Sequence, residues 1–137
     1  MFITTDDFKQ LIDSDDLDIV SNSEEEKINS CIATAIEEME GYLRTRYNVA
    51  SIFSETGDDR NKIVLTYCID ITLYHMHTAI AMRQMPEVRQ IRYDRAIKWL
   101  EQVQKGLINP NLPALVGSDN EPEVGIRYGS TSNLSSW

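Results

Sequence analysis

Apolar residues recur every three or four positions along the first 105 residues of this chain, and this spacing predicts helices. The first helix is expected to be short. Thr4 and Thr5 precede two acids in a typical helix start, and Phe8, Leu11 and Ile12 then share one face. An acidic, turn-like stretch follows before the next amphipathic segment begins.

Residues 24–46 carry the clearest amphipathic pattern. Ser23 and Glu26 form a capping box, and three consecutive glutamates lie at the positive end of the helix dipole. The apolar stripe comprises Ile28, Ile32, Ala35, Ile36, Met39 and Leu43. Gly41 lies inside this helix at a cost of about 1 kcal/mol relative to alanine, so we expect a close helix crossing or a bend there.

A third helix is expected over roughly residues 60–82, after a loop at 48–60 and a cap at Asp58 or Asp59. Its apolar residues run almost all the way round, which is typical of a helix that is buried on several sides. We therefore expect this helix to be central in the fold.

A fourth helix is predicted from Pro86 to a stop at Gly106. Its expected apolar face comprises Val88, Ile91, Tyr93, Ile97, Leu100 and Val103, with Trp99 beside it. Beyond it the helical period is lost, although residues 123–128 alternate like a short strand. The prediction is an all-α fold in which residues 1–107 form a small bundle of about four helices with a long central helix. An irregular, extended and partly disordered C-terminal arm follows at 108–137.

Composition and charge narrow the class of protein. The chain has 137 residues, and its 22 acids and 13 bases give a net charge of −9. This length suits one domain, and the acid excess argues against wrapping nucleic acid by neutralising phosphates. Residues 1–60 hold 15 acids and 5 bases, whereas residues 61–112 hold 4 acids and 7 bases. The asymmetry favours docking between unlike surfaces, with an incidental asymmetry as the alternative.

Targeting signals are not evident in the sequence. No apolar run approaches about 18 residues, so we expect no transmembrane helix and no membrane partner. The N-terminus carries acids where a signal peptide needs a basic start. Cys31 and Cys68 lack the spacing of metal ligands or of a disulfide framework, which is typical of a reducing, cytoplasmic setting.

Candidate chemistry is sparse. His75 and His77 are two positions apart on a helix and point to different faces, and Cys68 lies in an apolar helix where a thiol behaves as a small hydrophobe. Neither a nucleophile motif nor a phosphate-cradling glycine loop is present in the sequence. We expect no catalytic residue, no cofactor and no metal, and an enzyme or metal protein is the alternative.

Asp70 is the most unusual polar residue, because it lies one turn from Tyr67 and Tyr74 in the apolar third helix. A buried carboxylate is costly without a partner, and the expected partners are Arg92 and Arg95 of the fourth helix. We interpret these three residues as a buried structural cluster rather than as a catalytic site.

Basic residues form a ridge along the fourth helix. They are Arg89, Arg92, Arg95, Lys98 and Lys105. We expect this ridge to meet the acidic surface of residues 6–40 in the same or a neighbouring subunit, so assembly should be sensitive to salt. The residues expected at the interface are Arg89, Lys98, Trp99, Glu37 and Glu40, together with Tyr128 and Trp137 of the arm.

Four sequence runs are characteristic in combination. They are FITTDDF at residues 2–8, AIEEMEGYLRTRY at 35–47, CIDITLY at 68–74 and RYDRAIKWL at 92–100, with Gly106 closing the series. Their order and spacing resemble a family of tailed-phage and prophage proteins typified by gene product thirty-six of phage Mu. The resemblance covers roughly residues 2–108.

This resemblance implies a small helical virion protein of the head–tail connector or head-completion adaptor type, assembled in the cytoplasm of the bacterial host. Such subunits form a homo-oligomeric ring at the portal around the DNA exit channel, with portal and tail or neck proteins as partners and no sequence-specific binding of DNA. The resemblance implies that the long helix ends at residues 41–47 and that residues 92–94 begin a helical segment that packs beside Asp70. It implies no catalytic residue. A helical module that docks one protein partner through its C-terminal arm is the alternative function.

Overall fold

The computed structural model of the protein describes residues 2–9, 25–79 and 85–115, and these residues form five α-helices. The helices are α1 (Thr5–Phe8), α2 (Glu25–Leu43), α3 (Val49–Ser54), α4 (Lys62–Thr78) and α5 (Glu87–Gln104). Within these ranges the β-type pairing is limited to one isolated bridge between Tyr47 and Ala114. The predicted all-α fold is confirmed. The predictions for Leu11, Ile12, Ser23 and the strand at 123–128 lie outside the described residues.

The three long helices α2, α4 and α5 contact one another pairwise, so they lie at the corners of a triangle. Tyr67 of α4 contacts Trp99 of α5 with ring centroids 5.2 Å apart. About two turns later on α4, Tyr74 stacks on Tyr93 of α5 with ring centroids 3.8 Å apart. The later residue of α4 thus meets the earlier residue of α5, and these two helices run antiparallel.

The central position predicted for the third helix is confirmed in α4. Its buried residues are Val64, Cys68, Ile69, Asp70, Ile71, Thr72, Leu73 and Met76. The cap differs from the prediction, because Asn61 Oδ1 accepts hydrogen bonds from the backbone N–H groups of Ile63 and Val64 at 3.0 and 3.1 Å. Asp58 and Asp59 belong instead to a 3₁₀ turn upstream, which places them too early to cap α4.

The predicted loop at 48–60 contains a short helix, α3. Asn48 caps it by accepting a hydrogen bond from the backbone N–H of Ser51 at 3.2 Å, and Ile52 anchors it in the core. A six-residue helix is too short to display a 3.6-residue period, which explains why the pattern was not visible in the sequence.

The first residues of the expected arm lie against the helices. Ile108 and Leu112 are half-buried on the hydrophobic core. The Pro113 carbonyl accepts a hydrogen bond from the backbone N–H of Asn48 at 2.9 Å, and the Leu115 N–H donates to the Arg46 carbonyl at 3.2 Å. The chain is therefore attached to the bundle as far as Leu115.

A buried ion pair attaches the N-terminal segment to the start of α4. The Arg60 guanidinium donates to both carboxylate oxygens of Asp7, at 2.7 and 3.2 Å, and to the Phe2 carbonyl at 2.8 Å. Thr4 donates two further hydrogen bonds to the same carboxylate. Burial by itself would raise the pKa of Asp7, but the bonds from Arg60 and Thr4 outweigh it and hold the pKa below its ordinary value. The ion pair also keeps Phe2 and Phe8 in the core.

Replacing glycine by alanine should have opposite effects on stability at Gly41 and at Gly106. Gly106 ends α5 in the left-handed region, with φ of 82°, whereas Gly41 is exposed within α2 and a Cβ there would meet no atom within 4 Å. This open surrounding corrects the expected close helix crossing at Gly41. Gly41→Ala should raise the free energy of unfolding by about 0.5–1 kcal/mol, and Gly106→Ala should lower it by about 1–2 kcal/mol. Urea unfolding measures both, and shifts of the same sign would contradict this account.

Candidate assembly surface

Asp70 lies at the centre of a buried ion cluster between α4 and α5, with 2% of its surface exposed. Arg92 Nε donates to Asp70 Oδ1 at 2.7 Å, and Arg89 Nη1 lies 3.7 Å from the same oxygen. Burial raises the pKa of the Asp70 carboxyl, while the hydrogen bond and charge of Arg92 and the charge of Arg89 act in the opposite direction. The cluster connects α4 and α5 in the interior of the bundle.

Arg95, the second expected partner of Asp70, is exposed and acts on it only through its charge. Successive helical residues are rotated by about 100°, so Arg92 is about 60° from Arg89, and Arg95 is about 120° from it. Arg89 therefore lies on the buried face with Ala96, and Arg95 turns towards solvent. The structure thus replaces Arg95 by Arg89 as the second cation next to Asp70.

A second polar cluster joins all three long helices. One carboxylate oxygen of Glu38 in α2 is 2.9 Å from Nε2 of His75 in α4. The other oxygen accepts a hydrogen bond from the hydroxyl of Tyr93 in α5, also at 2.9 Å. Burial, followed by the hydrogen bond and charge of Glu38, raises the pKa of Tyr93. Both carboxylate oxygens are thereby engaged, which suits a structural connection better than a general base.

The sequence offered no signal for this cluster. Glu38 lies 37 positions from His75 and 55 from Tyr93, and no local pattern connects residues at such separations. By local pattern alone, Glu38 resembles its neighbours Glu37 and Glu40, because consecutive acids on a helix usually form a solvated face.

The solvent side of α5 combines apolar and basic residues. Val88 and Ile91 are 54% and 50% exposed, and Arg95 and Lys98 are exposed further along the helix. Their positions fall within about 80° of rotation, so they form one stripe, which we call the α5 face (Val88, Ile91, Arg95, Lys98). The sequence had assigned Val88 and Ile91 to the core, but Arg89 occupies the buried face at this end because it reaches Asp70.

The solvent side of α2 is small and acidic. Ser30, Ala33, Thr34 and Glu37 are exposed and Glu40 is half-buried, and we call these five residues the α2 face. The interface residues Glu37 and Lys98 predicted from the sequence thus lie at the surface, on different helices.

Two residues predicted at the interface belong to the interior of the subunit. Trp99 is 8% exposed and packs on Tyr67, because it shares the buried side of α5 with Leu100 and Val103. Arg89 is also 8% exposed, because it points at Asp70. Tyr128 and Trp137 lie outside the described residues.

The described residues include two free cysteines, Cys31 and Cys68, and burial raises the pKa of both thiols. Burial raises the pKa of the Cys68 thiol to about 12, so it remains protonated and packs as an apolar group. Across the described ranges, histidine, cysteine, aspartate and glutamate side chains form no group of three that could hold a metal ion. None of the helices in these ranges has both the length and the hydropathy needed to span a bilayer.

Comparison with known proteins places this arrangement in a family. Searches of the curated proteins and of the solved structures found no match. A family model described as Bacteriophage Mu, Gp36 matches residues 2–126. The match includes every element of the bundle, the docked segment up to Leu115 and part of the chain beyond it. This protein therefore belongs to the phage Mu Gp36 family.

Proposed function

We propose that this protein is a virion structural protein that assembles into a homo-oligomeric ring at the head–tail junction, as a connector or head-completion adaptor between the portal and the tail or neck proteins. The observation that carries the proposal is the family match over residues 2–126, nearly the whole chain. Membership in a phage family implies association with the virion and favours a structural role over a catalytic one.

The surface of the subunit supports assembly. Val88 and Ile91 are apolar but do not belong to the core, and about half of the surface of each is exposed to water. This exposed apolar pair, with Arg95 and Lys98 beside it, is the surface that a neighbouring subunit would cover. The buried ion cluster at Asp70 attaches α5, the helix that presents this surface, to α4.

The net charge of −9 suits a wall around passing DNA. An acidic lining repels phosphates, so the duplex can slide without being bound, and no sequence-specific contact is required. The subunit would be made in the host cytoplasm and remain in the virion.

A phage or inducible prophage with a stop codon in this gene tests the proposal. We expect DNA-filled heads and finished tails to accumulate separately in electron micrographs, and purified protein added to the lysate to restore infectious particles. A synonymous codon change at the same position is the matched control. Infectious particles at the wild-type titre, or a lysate without filled heads, would contradict an adaptor role.

The docked segment favours a second candidate, a binding module that uses its C-terminal arm. The bridge between Tyr47 and Ala114 attaches the chain to the bundle, so an arm would leave from a defined point. Truncation after Leu115 keeps these contacts intact. Loss of one protein partner in a pull-down, with unchanged self-association, would favour the module over the ring.

A further inference from the structure

We propose that neighbouring copies of this chain dock side by side, with the α5 face of one subunit on the α2 face of the next. The inference rests on the proposed ring and names the surfaces that close it. The two faces lie at different corners of the helix triangle, so each subunit can use both at once. Such a head-to-tail contact generates a ring when the rotation between subunits closes.

The α5 face needs a partner that is partly apolar and negatively charged. Val88 and Ile91 lie one turn apart and are half-exposed, and Arg95 and Lys98 continue the stripe towards the C-terminus. From Val88 to Lys98 the stripe is about 15 Å long at 1.5 Å per residue. Burial of the apolar pair favours association, and the cations select the partner and the orientation.

The α2 face has the complementary character. Ser30, Ala33 and Thr34 are small, so another helix can approach closely, and the distance between packed helices depends on the side chains at the contact. Glu37 and Glu40 follow towards the C-terminus, and their charges oppose those on the α5 face. Both faces therefore run from an uncharged first half to a charged second half.

The levels of the two faces along the bundle also agree. The Tyr93 hydroxyl of α5 reaches Glu38 of α2 at 2.9 Å. At the far end, the Arg46 guanidinium lies 3.3 Å from where a Cβ on Gly106 would be. The helices α2 and α5 therefore run parallel, and each pair of residues marks one level of the bundle.

Tyr93 is level with Glu38, and Gly106 is level with Arg46, so a residue of α5 is level with the α2 residue that lies 55 to 60 positions earlier. Val88 and Ile91 are therefore level with residues 28–36, and Arg95 and Lys98 are level with residues 35–43. A closed ring repeats the subunit by rotation without translation along its axis. When that axis runs along the bundle, the levels are kept between neighbours. The apolar pair then meets the small residues of the next copy, and the two cations meet Glu37 and Glu40.

Charge reversal on the full-length chain tests the contact by analytical ultracentrifugation. We expect Lys98→Glu and Glu40→Lys each to weaken self-association about tenfold or more, because each replaces an attraction by a repulsion across the interface. The double variant should recover most of the loss, since it exchanges the charges. Lys62→Glu and Glu55→Lys reverse exposed charges outside both faces and should have no effect. Circular dichroism melting verifies that all variants fold.

An apolar pair of variants tests the other half of the contact. Ile91→Ser should weaken self-association about fivefold or more, because the docked side chain loses its apolar burial. Ile63→Ser is the matched control, since Ile63 is 52% exposed but lies at the start of α4. Self-association of the wild-type chain should also weaken as salt increases.

The proposed contact is overturned if the wild-type chain stays monomeric at the highest concentration reached. It is also overturned if the Lys98 and Glu40 reversals leave association unchanged, or if the double variant is no tighter than the single ones. In each case the stop-codon experiment still tests the adaptor role independently. Failure of the adaptor role would appear there as wild-type infectivity without this protein.

Discussion

Replacing Asp70 by alanine should lower the free energy of unfolding by about 3–5 kcal/mol, which corresponds to a melting temperature lower by on the order of 10–20 °C. The reason is that Arg92 would lose its 2.7 Å hydrogen bond and that the buried Arg89, which is 8% exposed, would lose the carboxylate oxygen 3.7 Å from its Nη1. Breaking one partner of a buried ion pair leaves a charge in the interior without compensation. Thermal unfolding followed by circular dichroism measures the shift.

Two further variants sharpen this test. Asp70→Asn keeps an oxygen that can accept from Arg92 but removes the charge, so its loss should be smaller and measurable even where the alanine variant does not fold. Asp94→Ala is the control, because Asp94 is exposed on α5 and its carboxylate accepts a hydrogen bond from Gln90 of the same helix. It should change the free energy of unfolding by less than about 0.5 kcal/mol. An Asp70→Ala melting temperature equal to that of the wild type would contradict a structural role.

The Asp7→Asn variant should lose about 2–4 kcal/mol at neutral pH, since Arg60 and Thr4 bond the carboxylate in a site where 9% of the Asp7 side chain is exposed. The loss should depend on pH in a defined direction. The pKa of Asp7 in the folded protein is below its ordinary value of 3.8, so its contribution is complete above that value. As the pH falls from 3.8 through the lower folded pKa, both states become protonated and the contribution disappears.

Chemical denaturation at several pH values measures the difference between wild type and variant. We expect a constant difference above about pH 5 that shrinks steadily below pH 4. Asp6→Asn is the matched control at the neighbouring position, because Asp6 is exposed and forms its ion pair with Lys9 at the surface. Equal effects of the two substitutions, or a difference that does not change with pH, would show that the Arg60 contact does not stabilise the fold.

The helical bundle could be predicted because its evidence is local. The period of α2, the apolar circumference of α4, and the start and stop of α5 at Pro86 and Gly106 are all properties of neighbouring residues. Gly106 illustrates the reason. The Leu107 N–H bonds to the Gln102 carbonyl at 2.9 Å across a residue with positive φ, a conformation that glycine adopts without strain.

The α5 face could not be predicted in this way. From the sequence, the apolar Val88 and Ile91 suit the core and the charged Arg89 suits the surface, but the structure reverses these positions. The reversal depends on Asp70, 19 positions away in the sequence from Arg89, because a buried carboxylate requires cations beside it. Only the packing of α4 on α5 decides which arginines these are.

By itself, the sequence determined that this protein is an all-α phage protein with a central apolar helix, because periodicity, caps and characteristic runs are local features of the chain. The tertiary structure alone decided which charges are buried, since Asp7 and Arg60, or Glu38 and Tyr93, become neighbours only when the helices pack. Burial then strengthens each of these contacts, because water no longer competes for the charges. The same packing decided which apolar residues remain exposed, and thereby which face of α5 meets solvent in the subunit.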